Sequence, residues 1–537
     1  MKHTTIVRSF SAALLCFLQL LLTAQESKVR WKIQSALEEK QEGGFWYHKF
    51  VKGDAGSIVG LRVLGNSPVI GGLNQVTIDR TLVAFAVEGM KEIKVDKTKI
   101  LWGEGPVSIE TIENFNKQFR VIASKADMET GKLLVLQQIQ GPRSLTGKGA
   151  QLLAEIPFDR IGKSKEYFKP NVGIGFTTLV SVDSTKMLLQ LTPDGTTHSA
   201  GCPVYAHLFD KDMKPLWWNK LSTDGSARSF KIIQTRVDPK GAVWYLVKNT
   251  SNPEPKTPEE LGYAFSIYRL DSAGQTTALL DLPGSEFAQD ATMEMRIDGS
   301  IAVAGVYSDA DANRDESIGV FQCSVDASGQ EPKFDNFKLV PFEKRIDKKE
   351  EKLQNNMIID RLLLKKDGGS FLIARKSGIE THFVADLSGK KFPKTEQVDG
   401  VLHLFELTGA GDQKWYKQFD RVMNNSTDAP GRILPMCYEN SLLVMLNDAE
   451  INIEKRKLKV PPYPQEGFKD ALMLEFKSDG GEKTKVTLNE QQFHPLGLQA
   501  ANTWRLTPNL VITLASERLG KGAIQPVAIT LTGESKK

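Results

Sequence analysis

The chain has 537 residues, of which 40% are apolar and 25% are charged, and its formal net charge is +4 at pH 7. These values are typical of a folded globular protein and exclude a wholly disordered chain. The near balance of 69 basic and 65 acidic residues gives no electrostatic basis for nucleic-acid binding, so we expect no nucleic-acid partner.

Residues 1–24 have the pattern of a secretory signal peptide. Lys2 and Arg8 form a basic start, FSAALLCFLQLLL is an apolar run, and a small residue precedes Gln25. The run is shorter than the ~20 residues of a membrane-spanning helix, and we expect no membrane span elsewhere. The sequence therefore predicts a mature chain of residues 25–537 that is secreted or resides in the periplasm or cell envelope. An uncleaved anchor is the alternative.

The cysteine pattern predicts no covalent or metal framework in the mature chain. Its three cysteines, Cys202, Cys323 and Cys437, are odd in number and show no C-x-x-C spacing. Apolar neighbours flank the last two, which indicates buried thiols. No histidine pair has the H-E-x-x-H spacing of a zinc site. The hydrophobic core must therefore stabilise the fold.

A tight turn followed by an apolar strand recurs along the chain. Examples are VDPKG before AVWYLV (242–247) and IDGS before IAVAGVY (301–307). The strands start roughly 55 to 75 residues apart, and a second hairpin follows each of them, as in SIYRLDSAGQTTALLDL. Each repeat thus contains four strands, a to d, which is the content of one blade of a β-propeller.

The repeats predict an all-β fold in which residues 25–537 form a single propeller of eight four-stranded blades. The approximate blades are 45–98, 110–165, 171–222, 229–283, 288–342, 355–420, 430–489 and 494–533. The copies at 57–98 and 110–165 are weak, so seven blades is the alternative. In the second copy we assign LLVLQQI (133–139) to strand b.

The last repeat lacks a strand d, and the segment KVRWKIQ (28–34) offers one. VRWKI has the pattern of the d strands LWWNKL and KWYKQF found elsewhere in the chain. Sharing one blade between the two ends of the chain removes both open sheet edges. We therefore predict that residues 28–34 complete the last blade, with an independent amino-terminal strand as the alternative.

Several connections between strands b and c are long, whereas the a–b and c–d turns are short. The long b–c segments are GNSPVIGGLNQVTIDR, TSNPEPKTPEELG, SDADANRDES, residues 377–400 and NDAEINIEKRKLKVPPYPQEGFKD. In a blade of this topology the b–c and d–a connections lie on one face of the disc. Long loops on a rigid scaffold commonly bind ligands, so this face is the predicted binding surface.

At the level of fold, these Asp-Gly turns and alternating strands resemble the secreted bacterial β-propeller repeat proteins. The resemblance covers nearly all of the mature chain and implies architecture only. The Gly-His and Trp-Asp signature of WD-repeat propellers is absent from the sequence. A shared fold implies no activity.

One b–c loop, DADANRDES (309–317), has alternating oxygen-bearing residues. The predicted calcium ligands are Asp309, Asp311, Asn313 and Asp315. The spacing resembles the start of an EF-hand loop but has Arg314 in place of the turn glycine and Val320 in place of the closing Glu. An ordinary solvated loop is the alternative, and calcium is the one cofactor that the sequence brings into consideration.

The aromatic residues fit blade strands, where packing is a more frequent role than carbohydrate stacking. They are Trp46, Tyr47, Trp217, Trp218, Trp244, Trp415 and Tyr416. No complete catalytic motif is present, so we favour a monomeric, non-catalytic scaffold that binds a protein, peptide or glycan. The alternative is a propeller enzyme, such as a glycoside hydrolase or lyase. Paired carboxylates near the axis would favour the enzyme, and an apolar axis would favour the scaffold.

Overall fold

A computed structural model describes the chain over residues 29–35, 45–53, 56–66, 69–70, 73–74, 77–88, 90, 92–93, 108–140, 149–158, 174–193, 204–222, 229–250, 262–309, 316–326, 331–342, 357–385, 391–421, 423–424, 433–438, 440–448, 450–458, 465–466, 470–477, 480–488, 497–516 and 524–533. Within these residues the fold is all-β and consists of eight four-stranded antiparallel sheets arranged as the blades of a propeller.

The strands of the first four blades follow one another along the chain after a first strand that belongs to another blade. They are β1 (Val29–Ser35); in blade 1, β2 (Phe45–Lys52), β3 (Ser57–Asn66), the short pair β4 (Val69–Ile70) and β5 (Leu73–Asn74), β6 (Thr77–Ala86) and β7 (Glu92–Ile93); in blade 2, β8 (Ser108–Phe115), β9 (Gln118–Asp127), β10 (Lys132–Gln140) and β11 (Gln151–Pro157); in blade 3, β12 (Ile174–Val180), β13 (Lys186–Pro193), β14 (Val204–Asp210) and β15 (Pro215–Leu221); in blade 4, β16 (Ser229–Val237), β17 (Val243–Thr250), β18 (Tyr263–Asp271) and β19 (Gly274–Leu279).

Blades 5 to 8 continue the same order and include two additional short strands and a described helix. They are, in blade 5, β20 (Glu286–Met295), β21 (Ile301–Asp309), β22 (Gly319–Asp326) and β23 (Lys333–Pro341); in blade 6, β24 (Met357–Leu364), β25 (Ser370–Ala385), β26 (Lys391–Leu407) and β27 (Gln413–Phe419), followed by β28 (Met423–Asn424); in blade 7, β29 (Leu434–Tyr438), β30 (Ser441–Asp448), the helix α1 (Glu450–Lys457), β31 (Gln465–Glu466), β32 (Asp470–Phe476) and β33 (Glu482–Leu488); in blade 8, β34 (Gly497–Thr507), β35 (Leu510–Ser516) and β36 (Ile524–Gly533).

The first strand of each blade is innermost, and these eight strands contact one another around a closed ring. The core lies between neighbouring blades: eight clusters of buried apolar side chains each join two adjacent sheets. Trp244 and Leu246 of blade 4, for example, pack against Met293 and Val303 of blade 5. Middle strands are covered on both faces, which explains their apolar runs, such as the buried residues Val243–Val247 of β17.

Strand β1 closes the ring, as the sequence predicted. It pairs antiparallel with β36 from Val29 opposite Gly533 to Ser35 opposite Val527, and thereby supplies the fourth strand of blade 8. The count of eight blades is confirmed as well, because one apolar cluster joins blade 8 to blade 1.

Blade 2 differs from the sequence prediction. Residues 133–139 belong to its third strand, β10, and not to its second. The turn before β10 is short, whereas the connection after it, 141–150, is the longer one. The missed hairpin precedes it: Asn116 and Lys117 both have positive φ, at 50° and 59°, as a two-residue turn between β8 and β9 requires.

Residues 377–400, predicted as a loop, are mostly strand. β25 and β26 run for 16 and 17 residues and stay paired from Ser377 opposite Asp399 to Ala385 opposite Lys391. The hairpin therefore extends beyond blade 6 on the b–c face. Its backbone at Val398 and Asp399 pairs with β28, which in turn pairs with β31 of blade 7.

Helix α1 lies in the b–c connection of blade 7 and is fixed to the strands below it. Asn452 Nδ2 donates to Asp448 Oδ1 at 2.8 Å, and Arg456 forms an ion pair with Asp448. Arg456 also donates to the Asp420 carbonyl at 2.7 Å and lies 4.0 Å from the ring centre of Phe419. We call the outer β25–β26 hairpin, β28, α1 and β31 together the blade 6–7 insertion.

Candidate binding site at the axial mouth

The end of the central channel on the b–c face is lined by the first halves of the innermost strands. Each innermost strand follows a d–a connection, and these connections share a face with the b–c loops. Trp46 and His48 near the start of β2, and Glu110 near the start of β8, therefore lie toward that face. We call this region the axial mouth.

Innermost strand β34 is irregular at two points, between Gln499 and Thr503 and between Arg505 and Thr507. Five other innermost strands each contain a single extra residue that interrupts their pairing with the next strand. The extra residues are His48 in β2, Glu110 in β8, Ile233 in β16, Gln289 in β20 and Asp360 in β24. A bulge of this kind bends a strand and redirects its side chains. Four of these five residues are polar, and three of them bind other side chains: Glu110 binds Arg80, Gln289 binds Ser317 and Asp360 binds Arg375.

The bulge in β2 separates an apolar side from a polar side. Tyr47 and Phe50 are three residues apart, yet both pack in the core toward blade 8 with ring centres 4.8 Å apart. In a regular strand, residues three apart would face opposite sides. Trp46, His48 and Lys49 are consequently left on the channel side and toward blade 2.

A row of directly paired residues crosses blade 1 on the same side of the sheet as Trp46. Trp46 lies opposite Val63 in β3, and Val63 lies opposite Arg80 in β6. Arg80 Nη1 then reaches blade 2, where it donates to Glu110 Oε2 at 2.5 Å and to the Ile109 carbonyl at 2.6 Å. We call Trp46, His48, Lys49, Arg80 and Glu110 the blade 1–2 wall.

A second ion pair, made by Lys49 of this wall, joins three blades. Lys49 Nζ donates to Glu113 Oε2 at 2.6 Å and to Thr178 Oγ1 at 2.9 Å, and Thr178 donates to the same carboxylate oxygen at 2.9 Å. The three residues lie on β2, β8 and β12. Their contacts hold the innermost strands of blades 1, 2 and 3 in fixed positions.

His48 combines an accessible side chain with a perturbed titration. The residue is exposed, yet desolvation lowers its pKa below the ordinary value, and the charges of Arg80 and Lys49 lower it further. An accessible but desolvated imidazole lies in a concave part of the surface. The ring is neutral at pH 7, so one nitrogen donates a hydrogen bond and the other accepts one.

Blades 4 and 5 are joined by a similar polar contact. Arg236 of β16 makes a two-pronged ion pair with Glu294 of β20, with nitrogen–oxygen distances of 2.5 and 3.0 Å. Gln234 accepts from Thr292 Oγ1 at 2.8 Å and donates to Glu294 at 3.2 Å. Asp360 of β24 likewise pairs with Arg375 of β25 at 2.9 Å.

Asp290 of β20 is bound differently from these carboxylates. Its oxygens accept backbone N–H groups, from Ile359 of blade 6 at 2.8 Å and from Ala291 at 3.0 Å. Burial raises the pKa of Asp290, and burial also lowers the pKa of the neighbouring Lys248. Lys248 Nζ lies 3.6 Å from the ring centre of Tyr263. We call Lys248, Tyr263 and Asp290 the Asp290 cluster.

The predicted calcium loop lies largely outside the described residues. Asp309 is described as the last residue of β21, opposite Glu286, whereas Asp311, Asn313 and Asp315 are outside. Among the residues that are described, no three His, Cys, Asp or Glu side chains are grouped closely enough to hold a metal ion. The calcium site stays a prediction.

The structure separates the aromatic residues that the sequence treated alike. Trp244 and Trp415 are buried in the core, as predicted. Trp46 and Trp218 are instead 45% and 46% exposed, the first on an innermost strand and the second on the outermost strand of blade 3. Cys323 is buried, and Cys437 is half-buried on β29.

No protein-family model and no curated protein sequence matches this chain. Among solved structures, polysaccharide lyase Uly1 aligns at 9% identity over 82% of this chain and 93% of its own, with a TM-score of 0.38. Acylaminoacyl peptidase of Pyrococcus horikoshii aligns at 8% identity over 88% and 58%, with a TM-score of 0.34. Endo-arabinase of Bacteroides thetaiotaomicron aligns at 10% identity over 59% and 95%, with a TM-score of 0.21. At these scores the alignments give no argument about activity.

The described part of the chain contains no helix with the length and apolar character that crossing a membrane requires.

Proposed function

We propose that this chain is a non-catalytic binding scaffold of the cell envelope or extracellular space. It takes a protein, peptide or glycan on the face that carries the b–c connections. The apolar run at residues 10–22, after a basic start, supports export through a cleaved signal peptide. The eight rigid blades supply a fixed frame for that face.

The state of the innermost carboxylates carries this proposal. Glu110, Glu113, Glu294 and Asp360 are each in an ion pair with a Lys or Arg side chain. In these contacts each carboxylate accepts hydrogen bonds from a cationic side chain of the protein itself, so it is already engaged by a structural partner. These four carboxylates therefore serve better as links within and between blades than as an acid and base pair. The sequence predicts paired acids near the axis for an enzyme and an apolar axis for a scaffold. The blade 1–2 wall matches neither expectation.

The blade 6–7 insertion supports binding on the b–c face. The long hairpin is continued by pairing to β28, and α1 is fixed by Arg456 and Asn452. A surface that is ordered before the partner arrives loses less conformational freedom on binding. A protein or peptide partner would find such an ordered surface here.

A second candidate function, a propeller enzyme, is favoured by Asp290 alone. It is an innermost carboxylate held by backbone N–H groups, and its raised pKa is the property that a general acid needs. Lys248 with its lowered pKa lies close enough to influence it. The two functions make opposite predictions for ligand turnover.

The test measures binding and conversion in the same samples. Residues 25–537 are incubated with panels of oligosaccharides and peptides, followed by calorimetry for binding and mass spectrometry for products. The scaffold predicts saturable binding with the ligand recovered intact. Conversion of a ligand by the parent chain, lost in Asp290→Asn, would establish the enzyme and overturn the scaffold.

A further inference from the structure

Trp46 exposes its indole on an innermost strand, where a bound ligand could cover it. Its side chain is 45% exposed on an innermost strand, whereas the adjacent Tyr47 is buried. The flat face of an indole is apolar, and its N–H is a single polar point. A ligand that covers Trp46 must therefore present an apolar face of similar size.

The charged groups of the blade 1–2 wall are paired, so the wall and Glu113 together carry no net charge. Arg80 is balanced by Glu110, and Lys49 by Glu113. His48, two residues from Trp46, is neutral at pH 7 and offers one donor and one acceptor. A ligand at the blade 1–2 wall would therefore contact both hydrogen-bond donors and hydrogen-bond acceptors, without an excess of positive or negative charge.

We propose that the blade 1–2 wall is a subsite for a neutral saccharide, which rests on the scaffold function proposed above. One face of a pyranose ring is formed by C–H groups and stacks on Trp46. The hydroxyls at the ring edge each donate and accept, which matches His48 and the edges of the two ion pairs. A strongly anionic ligand would gain nothing from a wall whose cations are already neutralised.

The bulge in β2 is what makes this arrangement available. The extra residue His48 turns Lys49 toward blade 2 while Phe50 stays in the core with Tyr47. The aromatic platform and two of the polar groups, His48 and Lys49, thus come from one short strand. A site held by its strand needs little rearrangement on binding.

The experiment compares two equally exposed tryptophans. Neutral gluco-, manno- and xylo-oligosaccharides are titrated into residues 25–537 by calorimetry, with oligogalacturonides as the acidic arm. Trp46→Ala is expected to weaken neutral-glycan binding by at least about tenfold, the loss typical of an aromatic anchor. Trp46→Phe keeps a ring and should retain part of the affinity. Trp218→Ala removes an indole of matched exposure, 46%, from the outermost strand of blade 3 and should leave binding unchanged.

The outcomes separate this inference from the function on which it rests. Peptide binding without neutral-glycan binding would overturn the saccharide subsite and leave the scaffold in place. Glycan binding that is unaffected by Trp46→Ala, or affected equally by Trp218→Ala, would also overturn the subsite. Preference for the acidic arm would refute its neutral character. Glycan conversion, detected in the same titrations, would refute the scaffold itself.

Discussion

Replacing Glu113 by Gln should destabilise the propeller because the Glu113 carboxylate joins the innermost strands of three blades. It accepts from Lys49 at 2.6 Å and from Thr178 at 2.9 Å. Gln keeps one acceptor oxygen and similar size, so the substitution removes the charge with little change in packing. Lys49 would then lose its ionic partner at a site where its side chain is 20% exposed.

The magnitude follows from the burial of the pair. Removing one partner of a fully buried ion pair costs roughly 3–5 kcal/mol, and exposed pairs contribute about 0–1 kcal/mol. The Lys49 and Glu113 side chains are 20% and 11% exposed, and Gln retains a hydrogen bond, so we expect a loss of about 2 kcal/mol. At roughly 2 cal/mol/K per residue, the unfolding entropy of 537 residues is about 1 kcal/mol/K. The melting temperature should therefore fall by about 2 °C.

The control is a pair of the same chemistry and distance at the surface. Lys132 and Glu155 are also 2.6 Å apart, but their side chains are 38% and 45% exposed. Glu155→Gln should lower the melting temperature by less than about 1 °C. Calorimetry at one fixed scan rate compares both variants with the parent, and Lys49→Gln with Glu113→Gln completes a double-mutant cycle. Equal shifts for the two variants, or additive effects in the cycle, would refute the reasoning.

Four further outcomes test other parts of the structure. Deleting residues 29–35 removes the seven residues that pair with β36, which should cost about 5 kcal/mol and promote oligomers on size exclusion; a peptide of residues 29–35 should reverse both effects, and a scrambled one should not. Gly305→Ala should lower the melting temperature clearly, because its Cβ would lie 2.1 Å from the Asp290 carbonyl, whereas Gly175→Ala, with nothing nearer than 3.6 Å, should be near neutral. Burial raises the pKa of Asp290, so the stability that its carboxyl group contributes is present at low pH and is lost as the pH rises through the raised pKa. The melting temperature of Asp290→Asn should therefore rise relative to that of the parent as the pH increases above about 4. A difference in melting temperature that does not change with pH would contradict this. Calcium should raise the melting temperature, a chelator should reverse the rise, and Asp311→Ala should abolish it; a rise that survives Asp311→Ala would count against the loop.

The fold could be predicted from the sequence because its turns are encoded locally. Gly241 donates its N–H to the Asp238 carbonyl at 3.1 Å, and Gly299 donates its N–H to the Arg296 carbonyl at 2.9 Å, both with positive φ, so a glycine-containing turn of the same form recurs in successive blades. The assignment of 133–139 failed because strands b and c are both covered on two faces and read alike. The hairpin at 377–400 was missed because its strands continue past the blade without a change in composition.

The candidate site could be predicted only in part, because its contacts join distant residues. Lys49 and Glu113 are separated by 64 positions, and Lys49 and Thr178 by 129. Residue type alone does not reveal a bulge, so the separation of Trp46 from the other strand aromatics was not visible. One usable signal was present: SIETIENF places Glu110 and Glu113 in a strand whose other residues are largely apolar or small. Charged residues in an innermost strand indicate contacts across blades.

The bulges connect the architecture of the ring to the chemistry of its mouth. An extra residue in an innermost strand breaks the alternation of side chains, so that one strand can supply the core on both sides and still direct polar groups elsewhere. In β2 this leaves Trp46 and His48 at the mouth; in β20 it leaves Asp290 against the backbone of blade 6. Gly305 is required directly beneath the second bulge, where a side chain would meet the Asp290 carbonyl. The polar residues at the axial mouth are therefore a consequence of the bulges in the innermost strands. A substitution that abolishes a bulge should disturb both ligand binding and the packing between blades.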